Sequence, residues 1–460
     1  ANSNDIIHVF QRANPTVPLY ANNTEPFYQE GRVDGSNAVT MMNSDYSGYR
    51  ELGNKWFQSS MTLTYMVPHI DGLEAQGMFS YDYSEAENKL YSPKYDQYTY
   101  DEASETYREI THQAPSTIER QYFTDQDYLY QVSLNYEQTF KNAHNVTGLI
   151  LGEGSKRQGD NFFSQRELLL GLDELFAGIS EDQVANMFTG SDDIYEEANM
   201  GLVGRLAYNY DRKYMTEFSF RYDGSSKFPE GERWGFFPSA SVAWRISKEN
   251  FWSKTALNFI NNAKLRASYG VLGDDAASSY QFITGYQYPA GGIPDHLPGG
   301  HVFDGNYINA AENLGIPNRE ITWFTSHTLN VGLDLDAWDD LVGISIDVFD
   351  RERDGLLATR VQSLPSIVGA NLPQENLNGD RTRGFEIEAY HENRFEDFRY
   401  NIKGNVSFTR TRNTEVVRAR SGNSFMNWRT NPNDRYQGIW WGYGTDGRYE
   451  SYDEISNSDV

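Results

Sequence analysis

The feature that most constrains the fold of this chain is a repeated alternation between large apolar and polar residues. The segments 329–335 ("LNVGLDL") and 400–408 ("YNIKGNVSF") are typical. Successive side chains of an extended chain point to opposite faces, so this period of two predicts strands with one apolar face. Twelve such strands are predicted, at 56–66, 73–83, 126–137, 144–154, 199–210, 214–222, 238–246, 264–272, 327–336, 341–350, 383–391 and 399–409.

The connections between these strands alternate between short and long. Short ones span 67–72, 139–144, 211–213 and 337–340, with 247–263 and 392–398 counted among them; long ones span 84–125, 155–198, 223–237, 273–326, 351–382 and the residues after 410. Long structureless loops are uncommon in compact soluble domains. A membrane barrel has short turns on one side and long loops on the other. The prediction is therefore an all-β, transmembrane antiparallel β-barrel with long extracellular loops, and one short helix within a loop at 166–176.

The amino-acid composition argues against several classes of protein. Only 38% of the residues are hydrophobic but 15% are aromatic, whereas disordered chains are poor in aromatics. The 65 acidic residues outnumber the 39 basic ones, which argues against nucleic-acid binding. No run of 18 apolar residues occurs, so no transmembrane helix is predicted, and the first residues do not resemble a signal peptide. Alternation by itself also fits a soluble β-rich module such as a lectin or adhesin, and that alternative stays open.

No catalytic or metal-binding pattern emerges. The chain has no cysteine, and its eight histidines include no HxH or HxxxH pair. The motifs G-x-S-x-G and G-x-x-x-x-G-K-[ST] are absent. We therefore predict no enzymatic activity and no cofactor. Calcium could bind the acidic loop pairs, but a solvated acidic surface is the preferred interpretation because no D-x-D-x-D-G loop occurs; the pairs are Asp192-Asp193 with Glu196-Glu197, and Asp274-Asp275.

Several passages resemble a known family. The segments 204–247 (ending in "WGFFPSASVAWRIS"), 263–274 ("AKLRASYGVLGD"), 322–357 and 378–393 ("NGDRTRGFEIEAYHEN"), with 12–20 ("RANPTVPLY"), are similar to SusC-like TonB-dependent transporters, the RagA/SusC family of Bacteroidetes. These are outer-membrane importers whose barrels have about 22 strands. The resemblance implies an internal barrel fragment: 1–55 leading into the barrel, 56–410 as consecutive hairpins and 411–460 as an extracellular loop, with the plug domain outside this chain.

The resemblance also implies a function. Members import glycans actively through a plugged barrel, together with a SusD-like lipoprotein on the extracellular face. The TonB–ExbB–ExbD complex supplies energy through an N-terminal region outside this chain. Oligosaccharide import in the outer membrane is therefore expected. Import of oligopeptides is the alternative within the family, and a passive porin is a further one.

Two groups of residues are candidates for functional roles. Substrate contacts are predicted in the loop 424–449, where flat rings stand beside amide and charged groups: Trp428, Arg429, Asn431, Asp434, Arg435, Trp440, Trp441 and Tyr443. Charged residues on the polar faces of strands cannot face lipid and are predicted to line the lumen: Glu217, Arg221, Arg245, Arg266, Glu386 and Glu388, with Lys264, Asp334 and Lys403.

Aromatic residues near strand ends are predicted to lie at the membrane boundaries. Tyr208, Tyr210, Tyr214 and Trp338 would form the periplasmic girdle, and Trp234, Phe236 and Phe237 the outer one. In "WGFFPSASVAWR", Pro238 would begin a strand that runs from the outside to the inside. Ala240, Val242 and Trp244 would then face lipid.

Overall fold

The computed structural model describes residues 7, 11, 16–31, 37–187, 194–287, 300–313, 315–360, 372–419, 422–442, 444–445 and 447–457. Its helices are short: α1 (Ala38–Met42), α2 (Ser44–Ser47), α3 (Ser424–Thr430) and α4 (Tyr452–Ser456), with single 3-10 turns at Ala21–Asn23, Leu175–Ala177, Ile246–Lys248 and Trp252–Lys254. Among the described residues, no helix is both long and apolar enough to cross a bilayer.

Strands account for most of the structure. They are β1 (Tyr49–Met66), β2 (Leu73–Ser92), β3 (Tyr95–Asp101), β4 (Thr106–His112), β5 (Ser116–Phe140), β6 (His144–Leu168), β7 (Val184–Asn186), β8 (Tyr195–Tyr210), β9 (Tyr214–Ser225), β10 (Trp234–Arg245), β11 (Ile260–Asp274), β12 (Tyr286–Gln287), β13 (Gly300–Phe303), β14 (Asn306–Asn309), β15 (Glu312–Asn313), β16 (Phe324–Ala337), β17 (Val342–Thr359), β18 (Gln374–Phe395) and β19 (Phe398–Glu415).

One large antiparallel sheet contains the twelve predicted strands in chain order. Hydrogen bonds join them as β1-β2-β5-β6-β8-β9-β10-β11-β16-β17-β18-β19, with β7 beside β6. The prediction of these twelve strands is confirmed, but most are longer than expected. The β17–β18 ladder, for example, continues to Thr359↔Gln374. The added residues 374–382 of β18 are polar at nearly every position, so the period-two signal disappears there while backbone pairing continues.

The helix predicted at 166–176 is wrong. Its first residues end β6, and Leu168 pairs with Gly178 in an antiparallel bridge. The side chain of Arg166 donates to Gln183 Oε1 at 2.8 Å, and Ile179 N donates to Glu167 O at 2.9 Å. The backbone N–H and C=O groups here therefore form hydrogen bonds between two antiparallel segments of a chain reversal, and not the hydrogen bonds of a helix.

Contacts along the chain divide it into two compact units, 1–135 with 151–202, and 136–150 with 203–460. The first unit contains the β1–β2 hairpin, which is paired from Tyr49↔Tyr91 to Met66↔Glu74. It also contains the small hairpin β3–β4, inside a segment that was predicted to be a structureless loop. Phe27 stacks on Tyr107 of this hairpin at 4.3 Å between ring centroids, and the buried Gln97 side chain donates to Thr40 Oγ1 at 2.8 Å.

The second unit presents two chemically different sheet faces from β9 to β19. Register places a set of exposed apolar side chains on one face, and these form the apolar face: Phe218, Val242, Leu265, Val331, Ile344, Val348, Phe385, Ile387, Ile402, Val406 and Phe408. The polar face carries serines, asparagines and ion pairs at the alternate positions. Large apolar side chains that are exposed over a whole face need an apolar surrounding.

Strand β10 corrects two predictions. It begins at Trp234, not Pro238, and Pro238 pairs with Phe220 while the ladder to β11 starts one residue later, at Ser239. Phe237 was predicted to belong to the outer aromatic girdle, but its side chain lies on the opposite face and is only 7% exposed. It packs against Trp323 with 5.3 Å between ring centroids.

Phe237 belongs to a small core at the long-loop end of the polar face. Phe228 is fully buried there, and its ring lies 5.4 Å from that of Trp323. Trp323 Nε1 donates to Arg233 O at 2.9 Å, which ties the two long connections together. A Cβ added at Gly273 would lie 2.0 Å from the Phe237 ring. The ring therefore fills the space above a glycine on the neighbouring strand.

Candidate functional site

An aromatic and guanidinium cluster follows the end of β19. Trp428, on helix α3, and Trp441 meet edge to face with 5.3 Å between their ring centroids. The Arg435 guanidinium lies 5.1 Å from the Trp428 ring centroid and 5.8 Å from that of Trp441. Arg429 approaches Trp441 at 6.0 Å. Attraction between a cation and the negative face of a ring holds such groups together.

Local hydrogen bonds position this cluster. Asn423 caps α3 by accepting a hydrogen bond from Met426 N at 2.8 Å, and Arg435 Nη1 donates to Arg429 O at 3.0 Å. The segment 434–437 runs along the edge of β19 that faces away from β18: Asn413 N donates to Arg435 O at 2.9 Å and Gln437 N donates to Thr411 O at 2.8 Å. The guanidinium of Arg435 is thus fixed by backbone pairing on one side and by α3 on the other.

The structure brings together four of the eight predicted contact residues. Trp428, Arg429, Arg435 and Trp441 form the cluster, which we call the Trp–Arg cluster. Asn431 instead accepts a hydrogen bond from Asn433 N at 3.2 Å and shapes the turn after α3.

The remaining three predicted contact residues lie outside the cluster. Asp434 accepts from Arg412 at 3.2 Å. Trp440 is 94% exposed, and within the described part of the chain it makes no ring contact with the cluster. Tyr443 lies outside the described residues.

A second set of charged side chains occupies the polar face. Arg266 on β11 binds Asp334 on β16 at 3.2 Å and reaches Asp347 on β17 at 2.5 Å. Asp334 also accepts from Ser345 Oγ at 2.8 Å. Gly332 lies directly opposite Arg266, and a Cβ there would be 2.4 Å from the guanidinium carbon. The missing side chain at Gly332 is what lets Arg266 cross one strand and bind the next.

The other residues predicted to line the lumen also lie on this polar face. Glu217 binds Arg205 at 2.7 Å, Arg221 binds Asp223 at 2.8 Å, and Glu388 binds Lys403 at 2.6 Å. Arg245 Nε is buried with no hydrogen-bond partner in the described residues. Glu386 is exposed directly opposite Asp347. Sequence reasoning had missed Arg205, Asp223, Ser345 and Asp347, which strand register would have supplied.

Removal of the Arg266 guanidinium tests whether this network stabilises the fold. We expect Arg266→Met to lower the free energy of unfolding by about 1–3 kcal/mol, because two partly buried carboxylates lose their shared donor. Urea unfolding of the full-length protein in detergent measures the change. Arg245→Met is the matched control, since Arg245 lies on the same face without an ion pair in the described chain. Equal losses in the two variants would contradict the role assigned to Arg266.

Aromatic side chains surround the short turns of the second unit. Tyr210 and Tyr214 stack at 6.4 Å, Phe259 and Trp338 stack at 5.0 Å, and Tyr208 Oη lies 2.8 Å from His144 Nδ1. At the other end of the apolar face Tyr222 stacks on Trp234 at 5.0 Å. The placement of these rings at a membrane boundary stays a prediction.

The acidic pairs considered for calcium have other contacts. Asp275 accepts from Ser225 Oγ at 2.7 Å and Asp274 from Ala276 N at 2.8 Å. Glu196 binds Lys156 at 2.7 Å, while Asp192 and Asp193 lie outside the described residues. Over the described ranges no group of three or more acidic or histidine side chains is arranged to hold a metal ion. The solvated acidic surface stays the preferred interpretation of these pairs, and calcium binding is left untested.

Comparison with known proteins gives consistent matches. A family model described as "TonB dependent receptor-like, beta-barrel" matches residues 10–460. TonB-dependent receptor P39 of Formosa agariphila is 29% identical over 294 residues, which are 63% of this chain and 26% of that protein. TonB-dependent receptor SusC of Bacteroides thetaiotaomicron is 26% identical over 223 residues, 46% of this chain and 20% of that protein. The matched region thus spans between a fifth and just over a quarter of the length of these two relatives.

Among solved structures, the RagAB peptide importer in its closed-closed state is similar with a TM-score of 0.62 and 16% sequence identity. The match covers 80% of this chain and 37% of the importer chain. At this identity the similarity shows a shared fold. The large antiparallel sheet is accordingly a portion of a barrel of this type.

Proposed function

Because the chain belongs to the TonB-dependent receptor β-barrel family and is part of an outer-membrane protein, we propose that the whole protein is an active importer of oligosaccharides. In this proposal it works with a SusD-like surface lipoprotein, draws energy from the TonB–ExbB–ExbD complex and performs no catalytic step. The apolar face of the second unit meets lipid, and the polar face lines the lumen. Long connections then lie outside the cell.

The Trp–Arg cluster is the observation that supports a sugar ligand. Pyranose rings present flat C–H surfaces and equatorial hydroxyls, which suit an indole face beside a hydrogen-bond donor. Trp428 is 56% exposed and Trp441 is 48% exposed, so a ligand can reach both rings, and Arg435 lies beside each of them. A guanidinium has five donors, and stacking on a ring leaves its edge available to hydroxyl oxygens.

Oligopeptide import is the second candidate. Its support is the fold shared with a protein described as a peptide importer. A peptide would use the same cluster differently, with its carboxylate on Arg435 and an apolar side chain on Trp428. The two proposals therefore predict different ligands for one site.

A double substitution in the full-length protein tests the site. We expect Trp428→Ala with Trp441→Ala to weaken oligosaccharide binding at least tenfold, since stacking on both rings is lost. Equilibrium binding of fluorescent oligosaccharide and oligopeptide panels to the detergent-solubilised protein measures this. Tyr452→Ala is the control, because Tyr452 is an aromatic residue on α4 that is 88% exposed and lies outside the Trp–Arg cluster. Binding of peptides alone would favour the second candidate, and unchanged binding in the double variant would overturn the site assignment.

A further inference from the structure

Two rungs on the same face of the β18–β19 ladder pair arginine with arginine, and the Thr382↔Thr411 rung between them lies on the opposite face. Arg383 lies directly opposite Arg410, and Arg381 directly opposite Arg412. Side chains in such positions have Cβ atoms about 4.5–5.5 Å apart, and like charges there are destabilising. The pairing is unexpected in a chain with a net charge of −26. We call Arg381, Arg383, Arg410 and Arg412 the arginine quartet.

The quartet continues the apolar face toward the long-loop end. The next rung on that face is Phe385↔Phe408, whose rings stack with 5.9 Å between centroids, and the one after it on the same face is Ile387↔Val406. On β18 and β19 the face thus changes from apolar to cationic within one step of two residues, while Asp350 and Glu352 of β17 lie opposite Arg383 and Arg381. Arginine stems can lie along apolar surface while the charged heads remain in a polar layer. This is the position of a lipid headgroup relative to its acyl chains.

The carboxylates around the quartet do not match its donors one to one. Asp350 is shared: Arg381 Nη2 binds it at 2.7 Å and Arg383 Nε at 2.9 Å. Arg412 binds Asp434 at 3.2 Å. In the described part of the chain no carboxylate contacts Arg410.

Tyr436 holds the guanidinium of Arg410 in place. That guanidinium lies 3.8 Å from the Tyr436 ring centroid. Tyr436 itself is fixed by a β-bridge to Arg412. The Arg383 side chain is 65% exposed and that of Arg412 is 52% exposed, so their donors reach the surface.

From this placement we propose that the arginine quartet binds the phosphate group of an outer-leaflet lipid, a phosphorylated glycolipid whose acyl chains lie on the apolar face. The proposal rests on the outer-membrane placement and on the long loops facing outward. A phosphate group satisfies several guanidinium forks at once, and it relieves the repulsion between Arg383 and Arg410. Basic pockets at a membrane boundary bind lipid headgroups in the same way.

A lipid explains two features together. Free phosphate would account for the four guanidinium groups but not for their position at the edge of an apolar face. A neutral lipid would account for the apolar face but not for the arginine pairs. One molecule that carries both a phosphate and acyl chains accounts for both.

Native mass spectrometry of the full-length protein in detergent tests the proposal. The probes are lipid A, the same lipid after removal of its phosphate groups, and inorganic phosphate. For Arg383→Gln with Arg410→Gln we expect the fraction of protein that retains lipid A to fall at least fivefold. Arg399→Gln is the matched control: Arg399 is on the same strand, 71% exposed and paired with Glu392, but at the opposite end and on the other face.

Three results would overturn the proposal. The first is unchanged lipid A retention in the double variant, the second is equal retention of the dephosphorylated lipid, and the third is displacement of lipid A by millimolar inorganic phosphate. Folding of each variant is checked by heat-modifiable migration.

Arg410→Gln alone, which leaves the Arg381–Asp350–Arg383 contacts intact, provides a second test and is expected to lower retention of lipid A at least twofold. Since oligosaccharide binding is measured separately, failure here leaves the importer proposal untouched.

Discussion

Val406→Arg is expected to lower the free energy of unfolding of the membrane-embedded protein by about 2–4 kcal/mol, the cost of an arginine on a lipid-facing strand near the bilayer midplane. Val406 is 63% exposed in the middle of the apolar face, between Phe408 and Ile402. The adjoining rungs of that face, Phe385↔Phe408 and Ala389↔Gly404, offer an arginine there no carboxylate. Urea unfolding of the full-length protein refolded into phospholipid vesicles, followed by tryptophan fluorescence, measures the loss.

The adjacent residue provides the control. Ser407→Arg adds the same side chain one position further along β19, on the polar face and directly opposite Glu386. We expect this variant to remain close to wild type, because the new guanidinium gains an acidic neighbour. Equal losses for the two variants would mean that the two faces meet the same medium, which would contradict the membrane assignment of the apolar face.

Phe237→Ala should destabilise the protein by about 3–5 kcal/mol, because truncating a buried phenylalanine leaves a cavity that the surroundings fill only in part. The ring contacts Trp323 and covers Gly273, and Phe228 lies fully buried in the same core. Urea unfolding again gives the magnitude. Limited trypsin digestion adds a local measurement, since Lys227 and Arg233 lie in the connection that this core anchors.

Phe236→Ala separates the core from the aromatic boundary. Phe236 is the neighbouring residue but is 55% exposed on the apolar face, where its ring lies 5.7 Å from Phe220. Its removal should cause a clearly smaller loss and should leave trypsin cleavage at Lys227 and Arg233 unchanged. A larger loss for Phe236→Ala than for Phe237→Ala would show that the small core is not what holds the long connections.

The twelve strands were predictable because, in each of them, apolar residues recur at every second position and so form one apolar face. The hairpin β3–β4 was not, since its sequence from Tyr95 to His112 is rich in tyrosine and polar residues on both faces. Phe237 was misplaced for a related reason. In the run 234–237 every residue but one is aromatic, so the sequence does not indicate which rings point to which face.

The candidate site was predictable only where residues are close along the chain. Trp428 and Arg435 are near neighbours in sequence, and the structure brings them together. Which of Trp440 and Trp441 joins them depends on the backbone path after Gly438, which has a φ of +73°. The partnership of Arg266 with Asp347 depends on Gly332 in the intervening strand, a relation that becomes visible only once the register of three strands is known.

The contact of Arg266 across Gly332 bears on how this region assembles. A slip of one residue between β16 and β17 would turn every β17 side chain to the other face, so Asp347 would lie on the apolar face and Ile346 on the polar face. The ion pair that joins β11 to β17 forms only when both intervening ladders are correctly aligned. The Arg266 ion pairs therefore stabilise only the correct register of three strands at once, and a misaligned pair of strands gains no stabilisation from them.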